Sequence, residues 1–285
     1  MKLIECPRDA MQGWHSPIAT ELKMRYIKTL LQVGFDTLDF GSFVSPKVIP
    51  QMADTNLVIE ALEAAHWYDY SSTKLLAIIA NYRGAEEACQ YESIRYLGYP
   101  FSISETFQLR NTNKTIAESF PLVQQIQELC VKTNKELVLY ISMGFGNPYN
   151  DPYNPEMVAE WVEKMKNEGI KIISLSDTVG VAAPQLITDL FIHLQKSHPD
   201  IELGSHFHAR PDNWLPNIEA AYLAGCRRFD GAINGIGGCP MAKDELVGNI
   251  ATQNLISFLE KQGENLSLDF EKLKEAVLLA GEVFA

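Results

Sequence analysis

The sequence predicts a (β/α)8 TIM barrel, an α/β fold of eight parallel strands and surrounding helices, with an additional C-terminal helix. Short apolar runs alternate regularly with longer amphipathic runs, and strands that alternate with helices pair in parallel. The number of these units is eight. The length of 285 residues suits a closed barrel of eight units, and an open, doubly wound sheet is the alternative.

The predicted strands are runs of four to six mostly apolar residues, each followed by polar or turn residues. Runs of this length are typical of strands and are shorter than most helices. We predict the eight strands at residues 3–6, 37–40, 75–80, 93–97, 137–142, 170–175, 201–206 and 228–232.

The predicted helices carry apolar residues at helical spacing, as Tyr26 and Leu30 show in the first helix, which Gly34 stops. Asn154 is suited to cap the start of the fifth helix. The interval 98–116 is the longest gap between elements, and we expect a lid or an excursion there. The predicted helices span residues 18–33, 48–65, 84–91, 116–133, 154–168, 184–197, 214–224, 245–262 and, at the C-terminus, 270–283.

The alternation of strands and helices has no linker and no low-complexity segment, so we predict a single catalytic domain over residues 1–285. Lysine and arginine number 24 and aspartate and glutamate 36, which gives a net charge of 24 − 36 = −12. This balance argues against a nucleic-acid partner, because binding phosphates would need a basic face. An anionic small substrate is still compatible, since a local field can oppose the net charge.

The sequence also limits the compartment and the partners. No run approaches the roughly 20 apolar residues of a membrane span, so we expect no membrane partner. Five cysteines are an odd number without a CxxC pair, which argues against a disulfide framework and against structural zinc. We expect a soluble cytoplasmic protein. Its oligomeric state is not readable from the sequence, and a homo-oligomer is compatible with it.

Polar residues concentrate after the predicted strands. In a TIM barrel the chemistry lies at the C-terminal ends of the strands, whereas the opposite loops here carry ordinary turn residues such as Gly34 and Gly169. This distribution predicts an active site at the C-terminal ends. The polar residues there are Arg8, Asp9, Asp39, Ser42, Ser104, Glu105, Tyr140, Ser142, Asp177, Thr178, His206, His208, Asn234, Cys239 and Asn249.

His206 and His208 stand at positions i and i+2 of one strand end, so both imidazoles point to the same face about 6–7 Å apart. Asp9, which follows the first strand, can meet them across a small barrel. Two imidazoles with carboxylate, amide and water oxygens suit Mg²⁺, Mn²⁺ or a similar divalent ion better than structural zinc. A structural histidine pair is the alternative.

Arg8 and Asp9 are neighbours, and a turn after the strand would present both to the pocket. A guanidinium fork suits carboxylate or enolate oxygens, and an ion pair at the rim is the alternative. Cys239 lies in a glycine-rich loop at 235–240 that is able to close over a substrate. A phosphate cradle is the competing interpretation, and reactivity of the thiol would need a lowered pKa, which the sequence does not show.

Taken together, these residues resemble the 3-hydroxy-3-methylglutaryl-CoA lyase family, within the wider group of metal-dependent barrel lyases and condensing enzymes. The matching stretches follow the family's order and span nearly the whole chain. The runs SFVSPK and GGCP are fairly specific to this family, whereas the RD and HxH pairs belong to the wider group. The stretches are PRD with Gln12, SFVSPK at 42–47, PQMAD at 50–54, SLSDTVGV at 174–181, HFH at 206–208, GIGGCP at 235–240 and GNIAT at 248–252.

The resemblance implies a carbon–carbon lyase that acts on an acyl-CoA with a divalent metal ion. It implies that Arg8 steadies an enolate and that Cys239 is a catalytic cysteine on a mobile loop. Asp177, Ser42 and Gln12 would line the substrate pocket. The implied metal ligands are Asp9, His206, His208 and Asn249.

The chain departs from the family pattern around this ligand set. Asp39 stands where glutamate is usual, Gln253 replaces another glutamate, and Ala209 replaces an aspartate. The first signature is also one residue shorter. These changes leave the ligands in place and open the question of which acyl-CoA is the substrate.

The expected reaction is a retro-Claisen cleavage of a tertiary β-hydroxy acyl thioester such as 3-hydroxy-3-methylglutaryl-CoA into acetyl-CoA and acetoacetate. The base is open among Asp39, Asp177 and a histidine, and Cys239 is expected to protonate the carbanion. A related aldolase or condensing enzyme, a metal-dependent amidohydrolase and a non-catalytic scaffold are the alternatives. An amidohydrolase would carry its HxH pair early in the chain, whereas here it lies on the seventh strand.

Overall fold

Eight parallel strands close into a barrel in the computed structural model, which describes residues 1–66, 71–238 and 247–285. The strands pair in chain order, and the first strand pairs with both the second and the eighth, which closes the ring. The predicted TIM barrel is therefore confirmed. The strands are β1 (Lys2–Glu5), β2 (Thr37–Ser42), β3 (Lys74–Ile78), β4 (Ile94–Ser102), β5 (Glu136–Ser142), β6 (Ile172–Asp177), β7 (Glu202–Ala209), β8 (Arg228–Gly231) and the short β9 (Gly248–Asn249), which is antiparallel to β7.

Helices follow the strands and cover the outside of the barrel. Each begins and ends close to the turn and capping residues of the sequence, as at Asn154, whose Oδ1 accepts a hydrogen bond of 2.7 Å from the backbone N–H of Met157. The helices are α1 (Pro7–Gln12), α2 (Thr20–Val33), α3 (Thr55–Ala64), α4 (Tyr82–Ala88), α5 (Glu105–Thr112), α6 (Ile116–Lys132), α7 (Pro155–Asn167), α8 (Pro184–Ser197), α9 (Leu215–Leu223), α10 (Thr252–Lys261) and α11 (Phe270–Val283).

Two of these helices, α1 and α5, are absent from the sequence prediction. The interval 98–116 is mostly regular structure, because β4 continues to Ser102 and α5 follows it. The side chain of Ser104 caps α5 by accepting from the backbone N–H of Phe107 at 3.2 Å. Pro100 within the strand and the weak apolar periodicity of α5 hide both elements from a pattern search.

The starts of two helices differ most from the prediction. The second predicted helix begins at residue 48, whereas α3 begins at Thr55, because a short 3-10 turn at Pro50–Met52 precedes it. The predicted helix 245–262 overlaps residues 239–246, which lie outside the described part, and α10 begins at Thr252. The predicted C-terminal helix is present as α11, which packs against α2.

The main core lies between the strands and the helices, and a second apolar cluster fills part of the barrel interior. We call four members of this cluster on β3–β5 the apolar wall: Leu76, Ile78, Tyr96 and Val138. We call five polar interior side chains of β6–β8 the polar wall: Ser174, Ser176, His206, Arg228 and Asp230, all with little or no exposure. The polar wall leads up to the site described below.

The described cysteines Cys6, Cys89, Cys130 and Cys226 are free thiols, as the sequence predicts. Within residues 1–66, 71–238 and 247–285, no helix combines the length and the apolarity that crossing a bilayer requires.

Candidate active site

A cavity of about 870 Å³, partly open to solvent, lies at the C-terminal ends of the strands. One side of it is apolar and comes from the loop after β2 and from the ends of β3 and β4. The floor and the other side are polar. The described residues that line it are Arg8, Asp9, Gln12, Val44, Val48, Ile49, Ile78, Ala80, Pro100, Phe107, Asn111, Tyr140, Ser142, Ser176, Thr178, His206 and His208.

Arg8 and Asp9 both reach this cavity because α1 begins directly after β1. Pro7 occupies the first turn of that helix, where its missing N–H costs nothing. In a helical turn, neighbouring side chains no longer point to opposite faces as they do in a strand. Both side chains are buried, and the Arg8 Nη1 donates to Asp9 Oδ1 at 2.9 Å.

Asp39 lies behind Arg8 rather than on the cavity surface. Arg8 donates to Asp39 Oδ2 from Nε at 3.0 Å and from Nη2 at 2.5 Å, and its Nε also lies 3.2 Å from Oδ1. Burial raises the pKa of Asp39 to about 6, although the positive charge of Arg8 opposes this shift. The hydrogen bonds show that aspartate, although one methylene shorter than glutamate, reaches Arg8.

Asp9 is the centre of the hydrogen bonds around the cavity floor. Its Oδ1 accepts from Arg8 and from Gln12 Nε2 at 2.7 Å, and its Oδ2 accepts from Asn249 Nδ2 at 2.7 Å. Burial alone would raise its pKa, but the positive charge of Arg8, the two neighbouring imidazoles and the hydrogen bond from Asn249 outweigh burial and lower the pKa to about 2. Asp9 is therefore ionised throughout the physiological range.

His206 and His208 lie at the end of β7, with their Nε2 atoms 3.2 Å apart. Ligand atoms of Asp9 and the two histidines all lie within 4.8 Å of one another. The Nδ1 of His208 is 3.1 Å from the carbonyl oxygen of Thr178, and the Nδ1 of His206 is 3.0 Å from Asp230 Oδ2. The strand end thus brings both rings to the carboxylate of Asp9.

The partners of the two Nδ1 atoms decide where the protons of the neutral imidazoles lie. A carbonyl oxygen and a carboxylate only accept, so both neutral rings carry the proton on Nδ1 and turn the Nε2 lone pair inward. Two lone pairs and a carboxylate then face one another in a buried space, which is the arrangement that a cation stabilises. Burial and the neighbouring charge of His206 lower the pKa of His208 to about 4, so this ring is neutral and able to act as a ligand.

Asp230 is a site residue that sequence reasoning missed. It lies within β8, where the sequence predicts only a strand, and its carboxylate is buried. Burial would lower the pKa of His206, but the hydrogen bond and the charge of Asp230 raise it. The one signal in the sequence is an acidic residue inside a predicted strand. Its partner lies on another strand, so the sequence does not identify it.

Gln253 and Asn234 form a reciprocal pair beside this site. The Nε2 of Gln253 donates to Asn234 Oδ1 at 2.7 Å, and its Oε1 accepts from the backbone N–H of Asn234 at 3.0 Å. Asn234 has a left-handed backbone with φ of 62°, directly before Gly235. A glutamate at 253 could not donate to Asn234 when ionised, so the amide allows both bonds of this turn to form.

Asp177 and Ser42, both named from the sequence, do not join this group in the described structure. Both oxygens of Asp177 accept backbone hydrogen bonds, from Val181 at 2.9 Å and from Ala182 at 3.0 Å, and burial raises its pKa to about 6. Ser42 lines a neighbouring depression and accepts from the backbone of Val44. Cys239 lies outside the described residues.

A (β/α)8 barrel whose strand ends hold a buried carboxylate and two imidazoles defines a class, the barrel enzymes with a candidate divalent-metal centre. The chain belongs to the HMGL-like family, whose model matches residues 3–279. Membership of this family makes the chain an enzyme, a carbon–carbon lyase.

Individual relatives agree with this assignment. The chain is 32% identical to the mitochondrial hydroxymethylglutaryl-CoA lyase of Mus musculus, over 97% of this chain and 83% of the relative. It is also 32% identical to a hydroxymethylglutaryl-CoA lyase of Bacillus subtilis, over 95% and 88% of the two chains. The solved structure of an HMG-CoA lyase from Acinetobacter baumannii, in complex with coenzyme A and 3-methylmalate, matches with a TM-score of 0.89 and 30% identity over 100% of this chain and 91% of that one.

Proposed function

We propose that this chain cleaves 3-hydroxy-3-methylglutaryl-CoA, or a closely related β-hydroxy acyl-CoA, to acetyl-CoA and acetoacetate or the matching ketoacid. The observation that carries this proposal is the set of two inward Nε2 lone pairs and the Asp9 carboxylate, with Arg8 beside them. The relatives named above supply the substrate class. In this proposal residues 1–285 act as one catalytic domain.

We propose that Asp9, His206, His208 and Asn249 hold a divalent cation, Mg²⁺ or Mn²⁺. Oxygen and imidazole donors without a thiolate suit these ions. Asn249 faces Asp9 with its amide nitrogen, so its amide must turn over to offer the oxygen as a ligand. When bound, the cation would supply Lewis acidity that lowers the pKa of the substrate hydroxyl.

The hydroxyl proton must leave before the carbon–carbon bond breaks. Asp9 is the carboxylate that lines the described cavity, whereas Asp39 and Asp177 lie behind its surface. We therefore propose that the proton passes to a base other than Asp39 and Asp177. The electron pair of the O–H bond then forms the ketone, and the pair of the broken carbon–carbon bond passes to the thioester as an enolate.

Arg8 is placed to stabilise that enolate. Its bonds to Asp39 and Asp9 use three of the five N–H groups of a guanidinium, so two of them are left to donate to an enolate oxygen. The two carboxylates also prevent the guanidinium from turning. Cys239, on the loop after β8, would then return a proton to the carbanion and complete acetyl-CoA.

The test is to strip the protein of metal, add 3-hydroxy-3-methylglutaryl-CoA, and measure acetoacetate with and without Mg²⁺ or Mn²⁺. We expect acetoacetate only when the cation is present. Metal binding without turnover of any acyl-CoA would overturn the proposal and would favour a binding or scaffold role. Products other than acetyl-CoA and a ketoacid would indicate the related aldolase or condensing activity.

A further inference from the structure

Arg228 lies inside the barrel, beneath the candidate metal centre. Its side chain is 1% exposed, and its Nη1 donates to Glu202 Oε1 at 3.3 Å near the opposite end of the barrel. The Nε and Nη2 atoms have no hydrogen-bond partner among the described residues. A buried guanidinium with free donors is costly, so its surroundings must supply acceptors.

The same region holds four more buried polar atoms that have no protein partner in the described part of the chain. They are the hydroxyls of Tyr140, Ser174 and Ser176 and the Oδ1 of Asp230. Arg228 and Asp230 stand at i and i+2 of β8, so they point to the same side of the strand, about 6–7 Å apart along it. Six unsatisfied atoms therefore belong to the interior face of β5–β8.

The strand register brings these groups together. Tyr140 pairs with Ser174, and Ser174 pairs with Gly204 on the next strand. A Cβ at Gly204 would lie 2.8 Å from the Cδ of Arg228 and 3.2 Å from the Oγ of Ser174, so the glycine is what leaves room for the arginine. The guanidinium and the hydroxyls thus share one enclosed polar space.

Ordered water fits this space better than an anion does. Arg228 can only donate and the free carboxylate oxygen of Asp230 accepts, and a water molecule can do both at once. An anion would be repelled by Asp230. Burial opposes the charged form of Arg228, but Asp230 is the strongest of the charges that raise its pKa, so the two residues act on each other across this space.

We propose that Arg228 is a positioning residue of the metal centre, which acts through ordered water on Asp230 and through Asp230 on His206. Its positive charge keeps Asp230 a fixed acceptor for the Nδ1–H of His206. The Nε2 lone pair is then free to face Asp9. This inference rests on the metal centre proposed above. It adds that the charge of Arg228 fixes the orientation of one proposed ligand, His206.

The alternation of charge along the barrel supports this assignment. Lys2 and Arg228 both contact Glu202 at the N-terminal end, and Asp230 and His206 continue the line toward the cavity. Lys2 and Glu202 are each about one-third exposed, so their bond is weakened by solvent. Arg228 is the link that is shielded from bulk solvent.

The experiment measures Mn²⁺ binding by calorimetry in Arg228→Met, with Lys2→Met as the matched control at the other partner of Glu202. We expect Arg228→Met to weaken Mn²⁺ binding about 10-fold or more, the size of effect that residues behind metal ligands have. The control should stay within about twofold of the unaltered chain, because it removes only a partly exposed ion pair.

Arg228→Gln gives a second test that keeps a polar side chain in the space, should the methionine variant fail to fold. It is expected to weaken Mn²⁺ binding as well, and Arg228→Lys, which keeps the charge, to restore most of the affinity. ¹⁵N NMR of metal-free protein gives a readout that a merely structural role would not change. We expect one His206 tautomer, protonated on Nδ1, in the unaltered chain and a mixture in Arg228→Gln.

The outcomes separate this inference from the proposed function. If the unaltered chain does not bind Mn²⁺, the proposed metal centre is wrong and this inference fails with it. If it binds Mn²⁺ and the folded methionine or glutamine variant binds equally well, this inference alone is wrong.

Discussion

The two walls of the barrel interior are built for different purposes. The apolar wall on β3–β5 packs side chains such as Leu76 and Val138 into a buried hydrophobic cluster. The polar wall on β6–β8 buries charges and hydroxyls that the described protein atoms satisfy only in part. Burial of apolar groups stabilises the barrel, whereas burial of Arg228 and Asp230 costs free energy. The polar wall lies beneath the candidate metal centre, where we propose that its charges position His206.

The largest effect on this contrast between the two walls is expected from removing a proposed metal ligand at the end of β7. His208→Ala should lower turnover by more than roughly 1,000-fold, which corresponds to more than about 4 kcal/mol of transition-state stabilisation. The reason is that the cation would lose one of two imidazoles. Steady-state kinetics with Mn²⁺ measures the loss. The matched control is His193→Ala on the exposed face of α8, and comparable activity of the two variants would contradict the proposed centre.

Arg8→Lys tests the geometry of the guanidinium rather than its charge. Lysine cannot donate to Asp39 and Asp9 while also meeting an enolate in one plane, so turnover should fall about 10²–10³-fold. The measurement is kcat with saturating substrate and cation. Nearly unchanged turnover would mean that Arg8 is only an ion-pair partner of the two aspartates.

Leu76→Ala tests the other wall. This side chain is fully buried inside the barrel, and its loss should lower the free energy of unfolding by about 3 kcal/mol through the cavity that it leaves. Urea denaturation measures this change. Mn²⁺ affinity should stay close to that of the unaltered chain, because the apolar wall carries no ligand. A variant with equal stability and weakened Mn²⁺ binding would reverse the roles of the two walls.

Glu5→Gln extends the comparison to a buried acid outside both walls. Glu5 accepts from Thr252 and from the backbone N–H of Ile233, yet burial raises its pKa from 4.5 to about 8. A raised pKa means that the folded chain retains a proton that the unfolded chain releases. Its contribution to stability is therefore complete below about pH 4.5 and is lost as the pH rises through about 8.

The glutamine variant cannot ionise, so its stability relative to the unaltered chain should increase as the pH rises. Urea denaturation of both proteins at about pH 5 and about pH 9 checks this difference. Parallel pH dependence of the two proteins would show that Glu5 is ionised in the folded state at neutral pH.

Much of the candidate site could be predicted from the sequence, because its residues follow strands. His206 and His208 are two apart on one strand, and Asp9 follows the first strand, so the barrel topology alone brings them to one end. Asp177 shows the limit of this rule. It also ends a strand, but its oxygens are taken by a backbone turn.

The partners inside the barrel could not be predicted in this way. Asp230 and Arg228 lie in a short strand, and their contacts are with residues of another strand. The helices α1 and α5 were missed because one is only six residues long and the other has little apolar periodicity. Which residues meet across a barrel depends on strand register, and register is set by packing.

The sequence by itself determined the order of strands and helices, the closed barrel and the residues that gather at its C-terminal ends. Those features follow from apolar periodicity and from the parallel pairing that alternating elements require. Only the tertiary structure decided that Asp39 binds Arg8, that Asp177 turns away from the cavity, and that Arg228 lies beneath His206. These facts depend on distances between strands remote in sequence, and burial gives such contacts their strength.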